Sequence, residues 1–261
     1  MANSATPRPG ASRPVVVVTR PGPKTRDLMA GLEALGAEVI PYPVMEIQPP
    51  EDPAPLDRAC AHLANYDVVL LTSANGVQAL AERVASWPEP GPRVAVVGEQ
   101  TAQAVRRRGW PVDYLPEEAN AEGLLATLTA RHPVAGLRFL FPRAEEGREV
   151  LVDGLRTVGA AVDLVTAYRA VAVPHSPAET RATLGKRHIA LITFTSGACA
   201  DHFLARMAEA GLAAAARAWP AAVIGPVTRD ACTAHGMRVV AMAEHPSSGA
   251  FLDAIRAYLT R

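Results

Sequence analysis

The chain is written twice. Slid against itself by 123 residues, RPVVVVTRPGPKTRDLMAGLEALGAEV (13–39) falls on GLRFLFPRAEEGREVLVDGLRTVGAAV (136–162) without a gap. Seven of these 27 positions are identical: Arg20/Arg143, Leu28/Leu151, Gly31/Gly154, Leu32/Leu155, Gly36/Gly159, Ala37/Ala160 and Val39/Val162. Ordinary residue frequencies give about two. The same offset lays Thr72-Ser73 on Thr195-Ser196. After a four-residue adjustment, PRVAVVGEQTAQAVRRRGWPV (92–112) meets WPAAVIGPVTRDACTAHGMRV (219–239), and Gly98, Thr101, Ala104, Gly109 and Val112 coincide with Gly225, Thr228, Ala231, Gly236 and Val239. A period this long is a duplicated domain rather than a solenoid.

Within each copy, short apolar runs alternate with amphipathic ones. VVVVT (15–19) reads as a buried strand. Residues 24–35 read as a helix with Leu28, Leu32 and Leu35 on one face and Gly36 closing its end. Further strands are expected near 38–41, 67–72, 93–97 and 112–115, and helices after Ser73, after Gly98 and near Asn120. The second copy repeats strands at 138–142, 162–166, 189–194, 221–224 and 238–242. Such alternation predicts α/β architecture: two flavodoxin-like domains, each a parallel sheet with helices on both faces. Two proline-rich segments, PYPVMEIQPPEDP (41–53) and AYRAVAVPHSP (167–177), break the rhythm at equivalent points and read as extended connectors that pair as a ladder. The first βαβ part of each copy is then free to complete the other copy's domain.

Composition narrows the function. The 261 residues suit two domains, each with its own core. Formal net charge is zero, so no global charge points to nucleic acid or a membrane surface. No apolar run is long enough to span a bilayer. MANSATPRPGASRP lacks the apolar region of a signal peptide, and residues 1–12 read as a disordered leader. Cys60, Cys199 and Cys232 are scattered and odd in number, which fits reduced thiols in a cytoplasmic protein. Lys24 and Lys186 are the only lysines among 26 basic residues. There is no GxxxxGK[ST], GxGxxG after a strand, GxSxG or HExxH. The seven histidines, His132 among them, lack metal-ligand spacing. Glu145-Glu146 reads as a solvated helix start.

The corners where strands run into helices carry the remaining chemistry. They read TSANG (72–76), GEQTA (98–102), TSGAC (195–199) and GPVTR (225–229). In open parallel sheets ligands bind beyond the carboxyl ends of the strands. Small residues there leave first-turn amides open, and those amides attract anions with help from the helix dipole. Ser73, Thr101, Ser196 and Thr228 either cap their helices or bond a ligand.

The ordered set LLTSANGVQAL, AVVGEQTAQAV, FPRAEEGREVL, TAYRAVAVP, ITFTSGACADHFL, VIGPVTRDACTAHGMRV and HPSSGAFLDAI resembles the uroporphyrinogen-III synthase family over about residues 13–258. The resemblance implies two α/β domains joined by a two-stranded β ladder, with the active site in the interdomain cleft. One domain is then 1–41 plus 175–261 and the other 50–167, with 42–49 and 168–174 as connectors. It implies cyclisation of hydroxymethylbilane, a linear tetrapyrrole polycarboxylate, to uroporphyrinogen III, with loss of water and inversion of ring D. No metal or organic cofactor is implied, and the expected protein is a cytoplasmic monomer. Carried over by residue, Tyr168 matches the tyrosine that assists departure of the hydroxyl. Ser73, Thr101, Ser196 and Thr228 match cleft hydroxyls, and Arg20, Arg143 and Arg148 are carboxylate partners. The residues after Ser196 depart from the family pattern. The alternative from another class is a non-catalytic two-domain binding or sensor protein for a polyanionic small molecule.

Overall fold

The computed structural model describes residues 13–20, 23–131 and 133–260. The expected leader 1–12 and His132 lie outside them. The chain opens with β1 (Val15–Val18), α1 (Pro23–Ala34) and β2 (Glu38–Pro41). β3 (Met45–Gln48), α2 (Ala54–Ala61) and a 3-10 turn over Leu63–Asn65 follow. The first copy continues with β4 (Val68–Leu71), α3 (Ala74–Ala81), β5 (Arg93–Val96), α4 (Glu99–Arg106) and α5 (Ala121–Arg131). The second begins with β6 (Arg138–Ala144), α6 (Val150–Thr157), β7 (Ala161–Ala172) and α7 (Pro177–Leu184). It ends with β8 (Ile189–Phe194), α8 (Gly197–Glu209), α9 (Ala213–Ala218), β9 (Ala221–Val223), α10 (Pro226–Ala234), β10 (Val239–Met242) and α11 (Ser248–Leu259).

These strands form two five-stranded sheets, ordered β10-β9-β8-β1-β2 and β3-β7-β6-β4-β5. β1 pairs in parallel with β2 and with β8, and β6 pairs in parallel with β7 and with β4. The two copies have therefore exchanged their opening βαβ units. The chain divides accordingly into Met1–Glu46 with Val171–Arg261, and Ile47–Ala170. It passes from one unit to the other within β3 and near the end of β7. β3 and β7 are neighbours in the second sheet, where the sequence reading placed two paired extended connectors.

Both faces of each sheet are covered, which is why the strands are nearly continuous apolar runs rather than alternating ones. In the first unit Val16, Val18 and Leu191 pack with Leu28, Leu32, Phe251 and Ile255 on one face. Val17, Ile192 and Phe194 pack with Phe203, Met207 and Cys232 on the other. In the second unit Val68, Leu70, Phe139 and Phe141 pack with Leu124, Leu151 and Leu155, while Val69, Leu71, Val94 and Leu140 face Val77, Leu80 and Val105. The exchange is repeated in the helices. A methyl group placed on Gly31 of α1 would lie 2.3 Å from Leu252 Cδ2 of α11. One placed on the equivalent Gly154 of α6 would lie 2.2 Å from Leu125 Cδ2 of α5, the repeat partner of Leu252. Helix ends are repeated as well. Gly36 and Gly159 sit at φ 82° and 85°, the left-handed region that glycine enters at least cost.

Two expectations need correction. Residues 112–115 do not form a strand; a single parallel bridge joins Ala95 to Tyr114. Pro111 and Pro116 supply no N–H at either end, and Asp113 Oδ2 takes the Val94 amide at 2.7 Å, a donor that a full ladder would use. Glu145 and Glu146 are exposed but do not start a helix, because α6 begins only at Val150.

The exchange has a direct test. A fragment spanning 47–170 contains all of the second sheet except the first two residues of β3 and the last two of β7, whereas the sequence repeat 13–135 separates β4 from β6. The 47–170 fragment is expected to unfold cooperatively in denaturant, and the 13–135 fragment is not. Cooperative unfolding of 13–135 would contradict the exchanged pairing.

Candidate active site

In the second unit, β4, β5, β6 and β7 bring several of the expected residues to one end. β4 stops at Leu71, and Ser73 caps α3 from extended backbone (φ −152°, ψ 154°). Its Oγ accepts from the Gly76 amide at 3.1 Å. The same oxygen lies 2.9 Å from Tyr168 Oη. Tyr168 sits across from Ala144 in the β6–β7 register, and the Glu145 amide donates to its carbonyl at 3.0 Å. Its half-buried ring packs against the edge of the core that includes Val77 and Leu80 of α3. Gly76 permits the close approach, since a Cβ there would stand 3.0 Å from the Pro142 carbonyl of β6.

Arg143 follows Pro142 and is 8 % exposed. Its Nη1 donates to the Arg148 carbonyl at 2.7 Å, and its Nη2 is 3.9 Å from Glu149 Oε1. The guanidinium also lies over the Phe141 ring, 5.8 Å from its centroid. Among the described residues Arg143 Nε is buried without a hydrogen-bond partner. A buried cation with so little compensation is costly, and an anion relieves it. Arg148 is different: its side chain is 72 % exposed and pairs with Glu122 at 3.5 Å.

Thr101 and Thr228 are not helix caps. The caps of α4 and α10 are Gly98 and Gly225, and each threonine is the third residue of its helix. Both residues are buried, at 6 % and 4 % exposure, and neither hydroxyl makes a hydrogen bond among the described residues, though both oxygens keep some access to solvent. Ser196 does cap α8, accepting from the Cys199 amide at 3.2 Å. Arg20 follows β1 at the corresponding end of the first unit and is half-buried. The second unit thus brings together Tyr168, Ser73 and Arg143, with Thr101 on the adjacent helix start, and the first unit carries Ser196, Thr228 and Arg20.

The duplication breaks at Tyr168. At the repeat offset its counterpart is Met45, and the counterpart of Gly76 is Cys199. In the first unit Cys199 Sγ meets Met45 Sδ at 3.3 Å beside Ser196, where the second unit has the phenol. Sequence reasoning missed that Cys199 stands where Gly76 leaves open space. Comparing the two corners residue by residue supplies that signal.

Other chemistries find no support here. Burial pushes the Cys60 and Cys232 thiols up to about 11 and raises Cys199 as well, against the thiolate a nucleophile requires. Among the described residues no three His, Cys, Asp or Glu side chains are placed to hold a metal ion. Cavities of about 510 and 630 Å³ lie at the other end of the sheet, bordered by Arg138 and Arg93, where β6 and β5 begin.

Two parallel sheets of this topology, each with helices starting at its strand ends, define a two-unit α/β protein. The comparisons give the particular family. The chain matches the uroporphyrinogen-III synthase HemD family over residues 26–253. It is 38% identical over 225 residues to the uroporphyrinogen-III synthase of Synechococcus elongatus, covering 83% of this chain and 84% of that one. It is 27% identical to the Escherichia coli K12 uroporphyrinogen-III synthase, covering 70% and 75%. Among solved structures, a mutant uroporphyrinogen III synthase from the extremely thermophilic bacterium Thermus thermophilus superposes with a TM-score of 0.68 at 18% identity, covering 95% and 99%. The Helicobacter pylori 26695 enzyme superposes at 0.58 and 19%, covering 96% and 100%. This chain belongs to the uroporphyrinogen-III synthase family, cyclising lyases of tetrapyrrole biosynthesis.

The capping geometry separates the hydroxyls by stability. Ser73→Ala and Ser196→Ala each remove a cap and are expected to cost about 1 kcal/mol. Thr101→Val and Thr228→Val remove hydroxyls without protein partners and are expected to change stability by less than about 0.5 kcal/mol. Denaturant unfolding of the four variants checks the ranking, and a larger loss in either valine variant would contradict it.

Proposed function

We propose that this protein closes hydroxymethylbilane to uroporphyrinogen III, and that the Tyr168 corner is where the hydroxyl departs. The carrying observation is the Ser73–Tyr168 bond of the second unit, which the first unit lacks because Met45 stands at the phenol's place beside Ser196. Family membership favours this enzymatic reading over a non-catalytic binding or sensor protein.

The substrate loses hydroxide from its terminal methylene and becomes a cationic, azafulvene-like species. Ring D must then be attacked at its substituted carbon, pass through a spiro intermediate, and re-form inverted before the macrocycle closes. The bilane closes unaided to the uninverted isomer, so the protein's first task is positioning. A phenol hydroxyl at Tyr168 donates a hydrogen bond to the departing hydroxyl and helps it leave as water. Arg143, buried with a free Nε, takes a substrate carboxylate, and Thr101 offers a hydroxyl beside the α4 helix start. Arg148, at the exposed end of the same loop, is a second carboxylate partner. Ser196, Thr228 and Arg20 serve the remaining acetates and propionates. No metal or organic cofactor enters any of these steps.

No helix among the described residues is long and apolar enough to cross a membrane. We read the protein as a cytoplasmic monomer that meets its substrate in solution, with no nucleic acid or membrane partner.

The deciding experiment supplies hydroxymethylbilane to the purified protein, oxidises the products and separates the isomers. The type III isomer is expected to dominate. Type I alone, formed at the rate seen without protein, would remove the assignment. In the same assay Thr101→Val and Thr228→Val are expected to raise KM by about tenfold, the loss of one hydrogen bond to a charged group. Unchanged KM in both variants would return these hydroxyls to packing.

A further inference from the structure

Ser73 is placed to do something other than hold substrate. Its Oγ already accepts from the Gly76 amide at 3.1 Å, the cap that starts α3. A serine hydroxyl has one proton to donate. Among the described residues the one acceptor bonded to Ser73 Oγ is Tyr168 Oη, at 2.9 Å. Two arrangements of that bond are open. If Tyr168 donates, Ser73 accepts twice and its own proton has no acceptor. If Ser73 donates, its oxygen accepts from Gly76, its proton is used on Tyr168, and the phenol O–H is left free.

We infer that Ser73 is a positioning residue for Tyr168: as the α3 cap it directs its proton onto the phenol oxygen and so turns the Tyr168 O–H outward as a donor. This rests on the reading that Tyr168 assists hydroxide departure. The arrangement adds a second effect. As the phenol shares its proton with the leaving hydroxyl, negative charge develops on Oη, and the Ser73 O–H already points at it. The proton moves from Tyr168 Oη toward the departing oxygen, the C–O bond of the substrate breaks, and water leaves. Ser73 keeps its own proton throughout. Cap, donor and acid are thus in series, and the serine itself has no capacity left for a substrate carboxylate. The other unit supports this. Ser196 keeps the same cap, but Met45 and Cys199 stand where the phenol and Gly76 would be, so the same serine has no acid to orient.

The test is a double-mutant cycle on the full chain, read as kcat and KM for hydroxymethylbilane with wild type alongside. Ser73→Ala is expected to lower kcat about tenfold while KM stays within about twofold. The pair Ser73→Ala/Tyr168→Phe is expected to be no slower than Tyr168→Phe alone, because the serine acts only through the phenol. Ser73→Thr keeps both cap and proton and should recover most of the turnover lost in Ser73→Ala. Full turnover in Ser73→Ala, losses that multiply in the double variant, or a loss confined to KM would each overturn the inference. A second readout does not depend on turnover. Thermal unfolding of the wild type, the two single variants and the double variant should show non-additive shifts for Ser73 and Tyr168, and additive shifts would rule out the bond. A wild-type protein that forms no type III isomer would instead overturn the proposed function, which keeps the two failures apart.

Discussion

Everything in this molecule depends on which strand β1 and β6 choose as their inner partner. Each belongs by sequence to one copy and by hydrogen bonding to the other: β1 lies against β8, and β6 against β4. The choice is not enforced by a special residue, since Val15–Val18 and Phe139–Phe141 are ordinary buried strand sequence. It is enforced by the connectors. β3 and the long β7 carry the chain between the units, so each opening βαβ unit is delivered to the sheet begun by the other copy. Gly31 against Leu252 and Gly154 against Leu125 then hold the exchanged helices at close range, the same contact made twice.

The exchange also makes the candidate site. Because β6 and β7 join β4 rather than β8, Arg143 and Tyr168 from the second copy arrive beside Ser73 and Gly76 from the first. A duplication folded within its own copies would separate these residues. The pairing yields two corners of common origin with different contents. One has a phenol, an open glycine and a buried arginine lacking a partner at Nε. The other has a methionine and a cysteine in sulfur contact. Duplication supplied two corners of like geometry, and divergence at two positions left a phenol in one of them.

Much of this was legible in the sequence. The repeat alone gives the two sheets, most of their strands to within two residues, and the possibility of exchange, because period and apolar run length are properties of the chain itself; β7 runs on to Ala172, well past the expected end at 166. The glycines of the repeat mark helix ends for a physical reason, and Gly36 and Gly159 do occupy left-handed backbone. What was missed depends on side-chain competition. For Thr101 and Thr228 the sequence left capping and ligand binding both open, and Gly98 and Gly225 precede them at the true helix starts. Asp113 took a backbone donor that a strand would have used. α7 escaped although its signal was present: Ser176-Pro-Ala-Glu179 is a capping box with proline in the first turn, and both reciprocal bonds are made. The orphaned Nε of Arg143 has no sequence signature, because burial of one nitrogen is decided by the loop that folds over it.

The central claim is that how the bilane is held decides the isomer, while the Tyr168 phenol sets the rate. Tyr168→Met tests it most directly, because it gives the Tyr168 corner the residue of its repeat counterpart, Met45. Turnover and isomer composition should be measured together on one preparation. The account predicts turnover lower by about tenfold or more, with the residual product still mainly type III. Turnover equal to wild type, or a product that reverts to type I, would contradict it.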